Sequence, residues 1–416
     1  MDKHLKTRWW LLALGTLVLL FAGVIYAWSV IKAPFSSELG WDGAALTFNF
    51  TLTMCFFCLG GLVSGLLARR LSVRVRLVAA AVLVAGGFAV VSQLQPGGIL
   101  LLYIGYGFMA GSGIGIVYNA IISTVNAYFP DRKGVATGAL MMGFGFSTML
   151  VGNVAVRLFE APGIGWRTTY ICLGAVLGVL ILAAAWLMKM PGPGMRFPAP
   201  TTERRTKPHH AIQNQPPAPQ AADRPVSESP AELSAPQMLR RLSFWKLFVF
   251  FMLFASVGST AIAGAKGQFE ALGAVEYATV LAGVLTVCNG LGRIVSGAFF
   301  DAFGLRRTQY LTSIVVIAAT ALTFAGYLFR LTTVGVVGLC LCGFSYGFSP
   351  TVSAAFVSAF YGQKHFALNF PILNLILIPA SFVPTLTASL SNTLTFGVLV
   401  VFSVVGLGIS LSIKHA

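Results

Sequence analysis

Residues 65–74 read GLLARRLSVR, and residues 297–306 read GAFFDAFGLR. The two stretches lie 232 residues apart, and two further pairs of segments keep the same offset. The glycine run that starts at Gly111 falls on residues 343–347, and YFPDRKGVATG from Tyr128 falls on FYGQKHFALNF from Phe360. Three segments that share one offset indicate an internal repeat. The sequence therefore predicts two halves of related structure.

The composition assigns the chain to the membrane. Of its 416 residues, 56% are hydrophobic and 10% are charged, and the mean hydropathy is +0.82. Apolar runs of about 20 residues recur, each long enough to cross a hydrocarbon core of about 30 Å. We predict twelve spans, near residues 9–31, 44–68, 75–94, 99–124, 133–157, 168–190, 245–266, 276–300, 308–329, 332–360, 365–389 and 392–413. The expected fold is an all-α membrane protein with twelve transmembrane helices in two parallel six-helix repeats.

One polar segment, residues 191–242, separates the two halves. It carries eleven of the nineteen prolines together with many charged residues. Such a composition buries too little apolar surface to offset the entropy of ordering the chain. We therefore predict a disordered cytoplasmic linker between an N-terminal six-helix bundle, residues 1–190, and a C-terminal six-helix bundle, residues 243–416.

The distribution of lysine and arginine predicts the orientation. Of the 28 basic residues, 22 lie on the side that holds both termini, five lie on the other side, and Arg293 lies within a span. This bias predicts a multi-pass protein of the cell membrane with both termini in the cytoplasm. The same bias accounts for the net charge of +16, because the basic residues on that side contact lipid head groups. We therefore expect no nucleic-acid partner. The six cysteines lie in apolar runs, which does not favour a metal site.

The loop after the eighth span carries a recognisable signature. Its residues match the pattern G-x-x-x-D-x-x-G-x-[RK]-[RK] of the major facilitator superfamily, at Gly297, Asp301, Gly304, Arg306 and Arg307. The first-half copy departs from the pattern, with Arg69 in place of the acid and Ser72 in place of the second glycine. A short loop of this kind places an acid and a basic pair between helices, and we expect it to hold the halves in one access state. This resemblance implies the major facilitator fold and a monomer.

Four further segments narrow the resemblance. GVIYAW from Gly23, GSGIGIVYNA from Gly111, FPDRKGVATG from Phe129 and NGLGR from Asn289 resemble the oxalate/formate antiporter family and its monocarboxylate-transporter relatives. The resemblance implies exchange or proton-linked transport of small carboxylates, with the arginine of helix 8 as the carboxylate ligand.

Carried over residue by residue, that ligand is Arg293, and Tyr26 and Tyr118 fall on aromatic residues of the substrate cage. Two departures from the oxalate type favour a monocarboxylate such as lactate, pyruvate or formate over oxalate. Phe144 stands where the oxalate type has a tyrosine, and residues 366–389 lack the helix 11 lysine.

Arg293 also stands out without any resemblance. All twelve acidic residues lie outside the predicted spans or at their ends, whereas Arg293 lies about seven residues, or roughly 10 Å, from the end of its helix. An arginine in the membrane costs at least about 2.5 to 3.5 kcal/mol and suggests a functional site. The alternative is that the side chain extends to the lipid head groups. Otherwise Arg293 faces a cavity, and an anionic substrate serves as its missing counter-ion. The planar guanidinium group of Arg293 matches the two oxygens of a carboxylate.

Neutral polar side chains in the spans are candidates to complete the site. Phenol and amide groups donate hydrogen bonds to a carboxylate, although packing between helices explains each of them about as well. The candidates are Tyr26, Trp28, Tyr118, Asn119, Asn289, Tyr346, Asn369 and Asn374.

The predicted function is secondary active transport of small carboxylate anions by alternating access, as an anion exchanger or with a co-transported proton. The sequence shows no pairing of a nucleophile with a base, so we expect no enzymatic activity, and we expect no cofactor and no metal. Two alternatives stay open. One is proton-driven efflux of drugs or other metabolites, which needs an acid in the first-half spans, and the other is a carboxylate sensor that signals through the linker.

Overall fold

The computed structural model describes residues 3–192, 195, 197, 232–387 and 389–413. These residues form helices and connecting segments, and none of them lies in a strand. Among them, eleven helical stretches are long and apolar enough to span a membrane. The longest, Val275–Leu328, contains two spans, because Gly304 has a φ of 75° and interrupts the helical backbone there. The all-α fold with twelve membrane-spanning helices is confirmed.

We label the spanning helices α1–α12 in chain order. The first six are α1 (Lys3–Ala22, continued by a 3₁₀ turn at Gly23–Ala27), α2 (Gly43–Leu67), α3 (Val73–Ser92), α4 (Ile99–Tyr128), α5 (Lys133–Glu160) and α6 (Gly165–Leu187). The second six are α7 (Leu242–Ala263), α8 (278–303), α9 (305–328), α10 (Thr332–Tyr361), α11 (Phe366–Leu386) and α12 (Asn392–Ser412). Short helices lie at Trp28–Ile31, Ala33–Ser37, Ala235–Leu239, Ala265–Ala271 and Val275–Tyr277.

The internal repeat is visible in how the helices pack. A Cβ atom at Gly60 of α2 would overlap the Ser112 carbonyl of α4, and one at Gly292 of α8 would overlap the Phe344 carbonyl of α10. Both members of the second pair lie 232 residues after those of the first. Because only glycine allows these backbones to approach so closely, the repeat conserves a helix contact as well as a sequence pattern.

The two ends of the helix bundle are distinguished by where the first helix begins and the last helix ends. The start of α7 lies beside the end of α12, where Lys246 Nζ donates to the Ser412 carbonyl at 2.8 Å. We call the end at which α1 begins and α12 ends the terminal side, and the other end the opposite side. Asp301, in the last turn of α8, lies at the terminal side.

Helix α11 is interrupted near its middle. It consists of Phe366–Asn374 and Leu377–Leu386, joined through Leu375 and Ile376. The break lies four residues before Pro379, which lacks the N–H that would bond to the carbonyl of Leu375 and whose ring clashes with that carbonyl. The Leu375 carbonyl instead accepts from the Ile378 N–H at 3.0 Å, and the carbonyl of Asn374 accepts a hydrogen bond from the Cys58 thiol of α2 at 3.6 Å.

The predicted linker lies mostly outside the described residues, which omit 193, 194, 196 and 198–231. Its last part is described, and it differs from the flexible segment that the sequence predicts. Ser234 and Gln237 form a capping box at the start of Ala235–Leu239, with the Ser234 N–H donating to Gln237 Oε1 at 2.9 Å. This local cap allows a short helix to form just before α7.

Candidate functional site

Arg293 is buried where α8 packs against α5, and its side chain is 1% exposed. Its Nη1 donates to the Met141 carbonyl at 2.8 Å, and its Nε donates to Asn289 Oδ1 at 3.3 Å. Its Nη2 is buried and has no hydrogen-bond partner among the described residues. Because an unpaired charged donor is costly to bury, this nitrogen is suited to bind an added acceptor.

No acidic side chain neutralises Arg293 in the part of the chain that the structure describes. The ion pairs there are Arg8 with Asp131 at 2.7 Å and Lys266 with Glu270 at 3.8 Å. The carbonyl of Met141 and the amide of Asn289 supply only partial negative charge. The site therefore retains a net positive charge.

Aromatic side chains from both halves surround the arginine. The Tyr26 hydroxyl lies 3.5 Å from the Tyr346 hydroxyl, which joins α1 to α10. Phe144 makes edge contacts with Tyr26 and Tyr118, each with 5.3 Å between ring centroids. Tyr26 and Tyr118 both lie within electrostatic range of Arg293. The phenols can donate to an anion while the rings exclude water.

Two connected cavities approach this cluster from the opposite side. The larger, of about 790 Å³, lies between the ends of α2, α7, α11 and α12. The smaller, of about 40 Å³, shares Thr51 and Thr385 with it and is lined by Tyr26 and Tyr346. The smaller space is far narrower than the larger one, and Arg293 lines neither of them. In this conformation Tyr26 and Tyr346, whose hydroxyl groups lie 3.5 Å apart, form part of the wall of the smaller cavity.

The structure brings together five of the nine predicted binding residues, namely Arg293, Asn289, Tyr26, Tyr118 and Tyr346.

The other four predicted residues lie elsewhere. Trp28 packs inside the first half, where its indole N–H donates to the Leu46 carbonyl at 2.8 Å. The Asn119 amide donates to the Ala367 carbonyl and the Asn369 amide to the Leu233 carbonyl, both towards the terminal side. Asn374 is buried at the break in α11 and lines neither cavity described above. The rotation of each helix decides these positions, which the sequence pattern does not reveal.

Several residues of the site were not among the predicted candidates. Met141 takes part through its backbone carbonyl, which carries no sequence signal. Thr51, Ser259 and Ser381 place small hydroxyl groups in the wall of the smaller cavity. Hydroxyl residues in apolar helices are the available signal, but it is a weak one, because most of them, Ser381 included, bond to the preceding turn of their own helix.

The terminal side is closed by contacts between the halves. Asp301 accepts hydrogen bonds from the N–H groups of Gly134 at 2.8 Å and Val135 at 2.7 Å, at the start of α5. A carboxylate there also interacts favourably with the positive end of the helix dipole. Cβ atoms at Gly134 or Gly297 would overlap the carbonyl of the other residue. These contacts lock α8 against α5.

The basic residues of the loop signature do not take part in this closure. Arg306 and Arg307 are exposed, and Arg306 Nε donates to the Tyr310 hydroxyl at 3.2 Å. The expected latch between an acid and a basic pair is therefore built differently, because Asp301 binds backbone N–H groups of the other half. Gly304 provides the turn, since its φ of 75° is one that other residues rarely adopt.

The fold and the site define a membrane transporter, with two six-helix halves around a central cavity that is closed at one end. A profile of the Major Facilitator Superfamily matches residues 12–374, and the chain belongs to this superfamily. Like its relatives it is a transporter and not an enzyme.

Two relatives of known sequence match most of the chain. The oxalate:formate antiporter of Oxalobacter formigenes is 24% identical over 377 residues, which cover 88% of this chain and 80% of the antiporter. An uncharacterized MFS-type transporter of Escherichia coli, YhjX, is 24% identical over 379 residues, covering 90% and 86% of the two chains.

Solved structures agree with the fold. The proton:xylose symporter XylE superimposes with a TM-score of 0.68 at 14% identity, over 98% of this chain and 96% of XylE. The transporter FucP in its outward conformation gives a TM-score of 0.64 at 13% identity, over 97% and 99%.

Replacing Asp301 with asparagine is expected to open the terminal side about tenfold more often, because a neutral amide loses the charge-assisted bonds to α5, worth about 1.5 kcal/mol. Electron paramagnetic resonance would measure the distance between spin labels at exposed positions 70 and 307, with the native cysteines replaced by serine. The long-distance population should increase. Arg306→Gln is the control and should stay within about twofold of the parent, given how little exposed charges contribute. An unchanged distance distribution in Asp301→Asn would refute the closing role.

Proposed function

We propose that this transporter carries small carboxylate anions by alternating access, with monocarboxylates such as lactate, pyruvate or formate preferred over oxalate. The observation that carries the proposal is the free Nη2 of Arg293, buried next to two phenols and without an acidic partner in the described chain. A guanidinium fork fits the two oxygens of a carboxylate, and the bound anion neutralises the charge.

One cation in the site supports a monoanion. The described part of α11 and the loop after it, residues 366–387 and 389–391, contains no basic residue that would bind a second carboxylate. Phe144 offers no hydroxyl group beside Tyr26 and Tyr118. The similarity to the oxalate:formate antiporter of Oxalobacter formigenes supports the carboxylate class.

The positions of the charged groups bear on whether transport is coupled to a proton or to a second anion. None of the described acidic residues lies near Arg293, so a carboxylate of the protein is poorly placed to carry a proton. We infer that the protein exchanges one anion for another, or that a proton travels with the substrate. This arrangement gives proton-driven efflux of drugs no support, and no structural observation favours a sensor.

The orientation belongs to the same proposal. The excess of basic residues on the terminal side supports a cell-membrane protein with cytoplasmic termini. The conformation described here then faces outward, with its large cavity outside and the Asp301 contact closing the cytoplasmic side. We infer that the protein works as a monomer whose lasting partner is the lipid bilayer.

Counterflow in proteoliposomes tests the function. Vesicles preloaded with unlabelled formate, lactate, pyruvate or oxalate should accelerate uptake of labelled substrate severalfold for the monocarboxylates and less for oxalate. Uptake into vesicles that contain no organic acid, with and without a pH gradient, separates the two coupling modes, since an exchanger needs an internal anion and a proton symporter does not. If none of these acids accelerates uptake, the carboxylate proposal fails.

A further inference from the structure

The two copies of the loop signature differ at the position of the acid. Asp301 in the second copy binds the start of α5, and Arg69 occupies the equivalent position in the first copy. The side chain of Arg69 reaches the start of α11, where its Nη2 lies 2.7 Å from His365 Nδ1. The first half thus presents a cation to α11 where the second half presents a carboxylate to α5.

A carboxylate does reach this loop, but it comes from the end of the linker. Glu232 accepts hydrogen bonds from the N–H groups of Gln363 at 3.3 Å and Lys364 at 2.7 Å, just before α11. The Leu233 N–H donates to the Tyr361 carbonyl at 3.1 Å, and the Leu233 carbonyl accepts from Asn369 Nδ2 at 2.9 Å. We call residues 232–234 the strap.

The backbone of the loop leaves room for the strap. Gly362 has a φ of 80°, and a Cβ atom there would overlap the Glu232 carboxylate. Glycine is therefore required both by the turn and by the close approach of the strap.

The loop that the strap holds is also the one that contacts the first half. Ser358 Oγ accepts from Gln363 Nε2 at 2.9 Å and from Lys133 Nζ of α5 at 3.0 Å. Lys133 also lies within electrostatic range of Glu232. In addition, Asn119 of α4 donates to the Ala367 carbonyl at 3.0 Å, one turn into α11. Opening of the terminal side would separate Lys133 and Asn119 from this loop.

We propose that Glu232 is a gating residue that replaces the missing first-half acid, so that the strap stabilises the closed terminal side. Its differential effect comes through Lys133. The hydrogen bonds from the loop to Glu232 persist in both states, while the contact of Lys133 Nζ with Ser358, whose Oγ also binds Gln363, exists only when the halves meet. The linker is thereby coupled to the access state. This inference does not depend on which substrate is carried.

The test is hydrogen–deuterium exchange on the full-length protein. In Glu232→Gln, peptides of α4 around Ser123 and of α11 around Ala367 should exchange about two- to fivefold faster, as expected for an exposed charge. Peptides that line the large cavity, near Gly43 and Thr385, should exchange more slowly, because the outward population falls. Glu276→Gln, which removes an acid on the opposite side, is the matched control and should change neither.

The Lys133→Gln background separates gating from a local cap. If Lys133 transmits the effect, Glu232→Gln should add little to the exchange pattern of Lys133→Gln. Faster exchange confined to residues 361–366, with the opposite side unchanged, would show that Glu232 caps the loop and has no gating role. Unchanged exchange throughout would overturn the proposal as well.

Discussion

Arg293→Gln is expected to lower carboxylate uptake in proteoliposomes at least about thirtyfold, because breaking a buried charge pair costs about 2 to 5 kcal/mol. The glutamine amide nitrogen takes the position of Nε and can still donate to Asn289 Oδ1, so the fold should survive while the anion loses its counter-charge. Arg293→Lys keeps the charge but not the fork, and we expect about a tenfold loss, since a point charge binds a carboxylate less specifically than a planar fork.

The control for this prediction is Arg157→Gln. Arg157 is an exposed residue near the end of α5, and neutralising it removes the same charge from the surface. Uptake should stay within about twofold of wild type, because isolated surface charges contribute little. Near-normal uptake of every tested acid by Arg293→Gln would remove Arg293 from the binding site.

Gly297→Val is expected to reduce counterflow at least about fiftyfold by preventing closure of the terminal side. The added Cβ would overlap the Gly134 carbonyl, and a backbone group in a helix cannot move aside as a side chain can. The variant should populate states that are open at the terminal side. Spin labels at positions 70 and 307 should then show the longer distance as the main population.

Gly283→Val provides the matched control for Gly297→Val, since Gly283 lies in the same helix and nothing lies within 4 Å of a Cβ built there. It carries the same loss of backbone freedom and the same β-branched side chain without the steric conflict. If both variants lose transport equally, the defect lies in the stability of α8. If Gly297→Val transports normally, the terminal-side contact is not needed for the cycle.

Arg293 could be identified from the sequence because it is an exception to the usual absence of charged residues from membrane spans. An arginine inside an apolar helix, in a chain whose acids all lie outside the predicted spans or at their ends, has few explanations. Asn289 was within reach of prediction too, since it lies one turn before Arg293 on the same helix. Tyr26 and Tyr118 came from the family resemblance, and the structure places both near the arginine.

Other parts of the site and gate could not be predicted. The Met141 carbonyl has no side-chain signature, and the loop signature did not show that Asp301 binds backbone N–H groups instead of Arg306 or Arg307. The strap lies in a segment whose composition predicts disorder. The strap is ordered because Glu232 accepts hydrogen bonds from two N–H groups of the loop before α11. The composition of the segment carries no information about these contacts.

The sequence by itself determined the number of spans, the two-fold repeat and the arginine that lies deep within a span. These are local properties, because the length and hydropathy of a segment decide whether it crosses the bilayer. Only the tertiary structure decided which polar groups face Arg293, which end is closed, and that Trp28 and Asn119 lie away from the cavity. Those features depend on the rotation and crossing of helices far apart in the chain, and contacts between distant segments fix them.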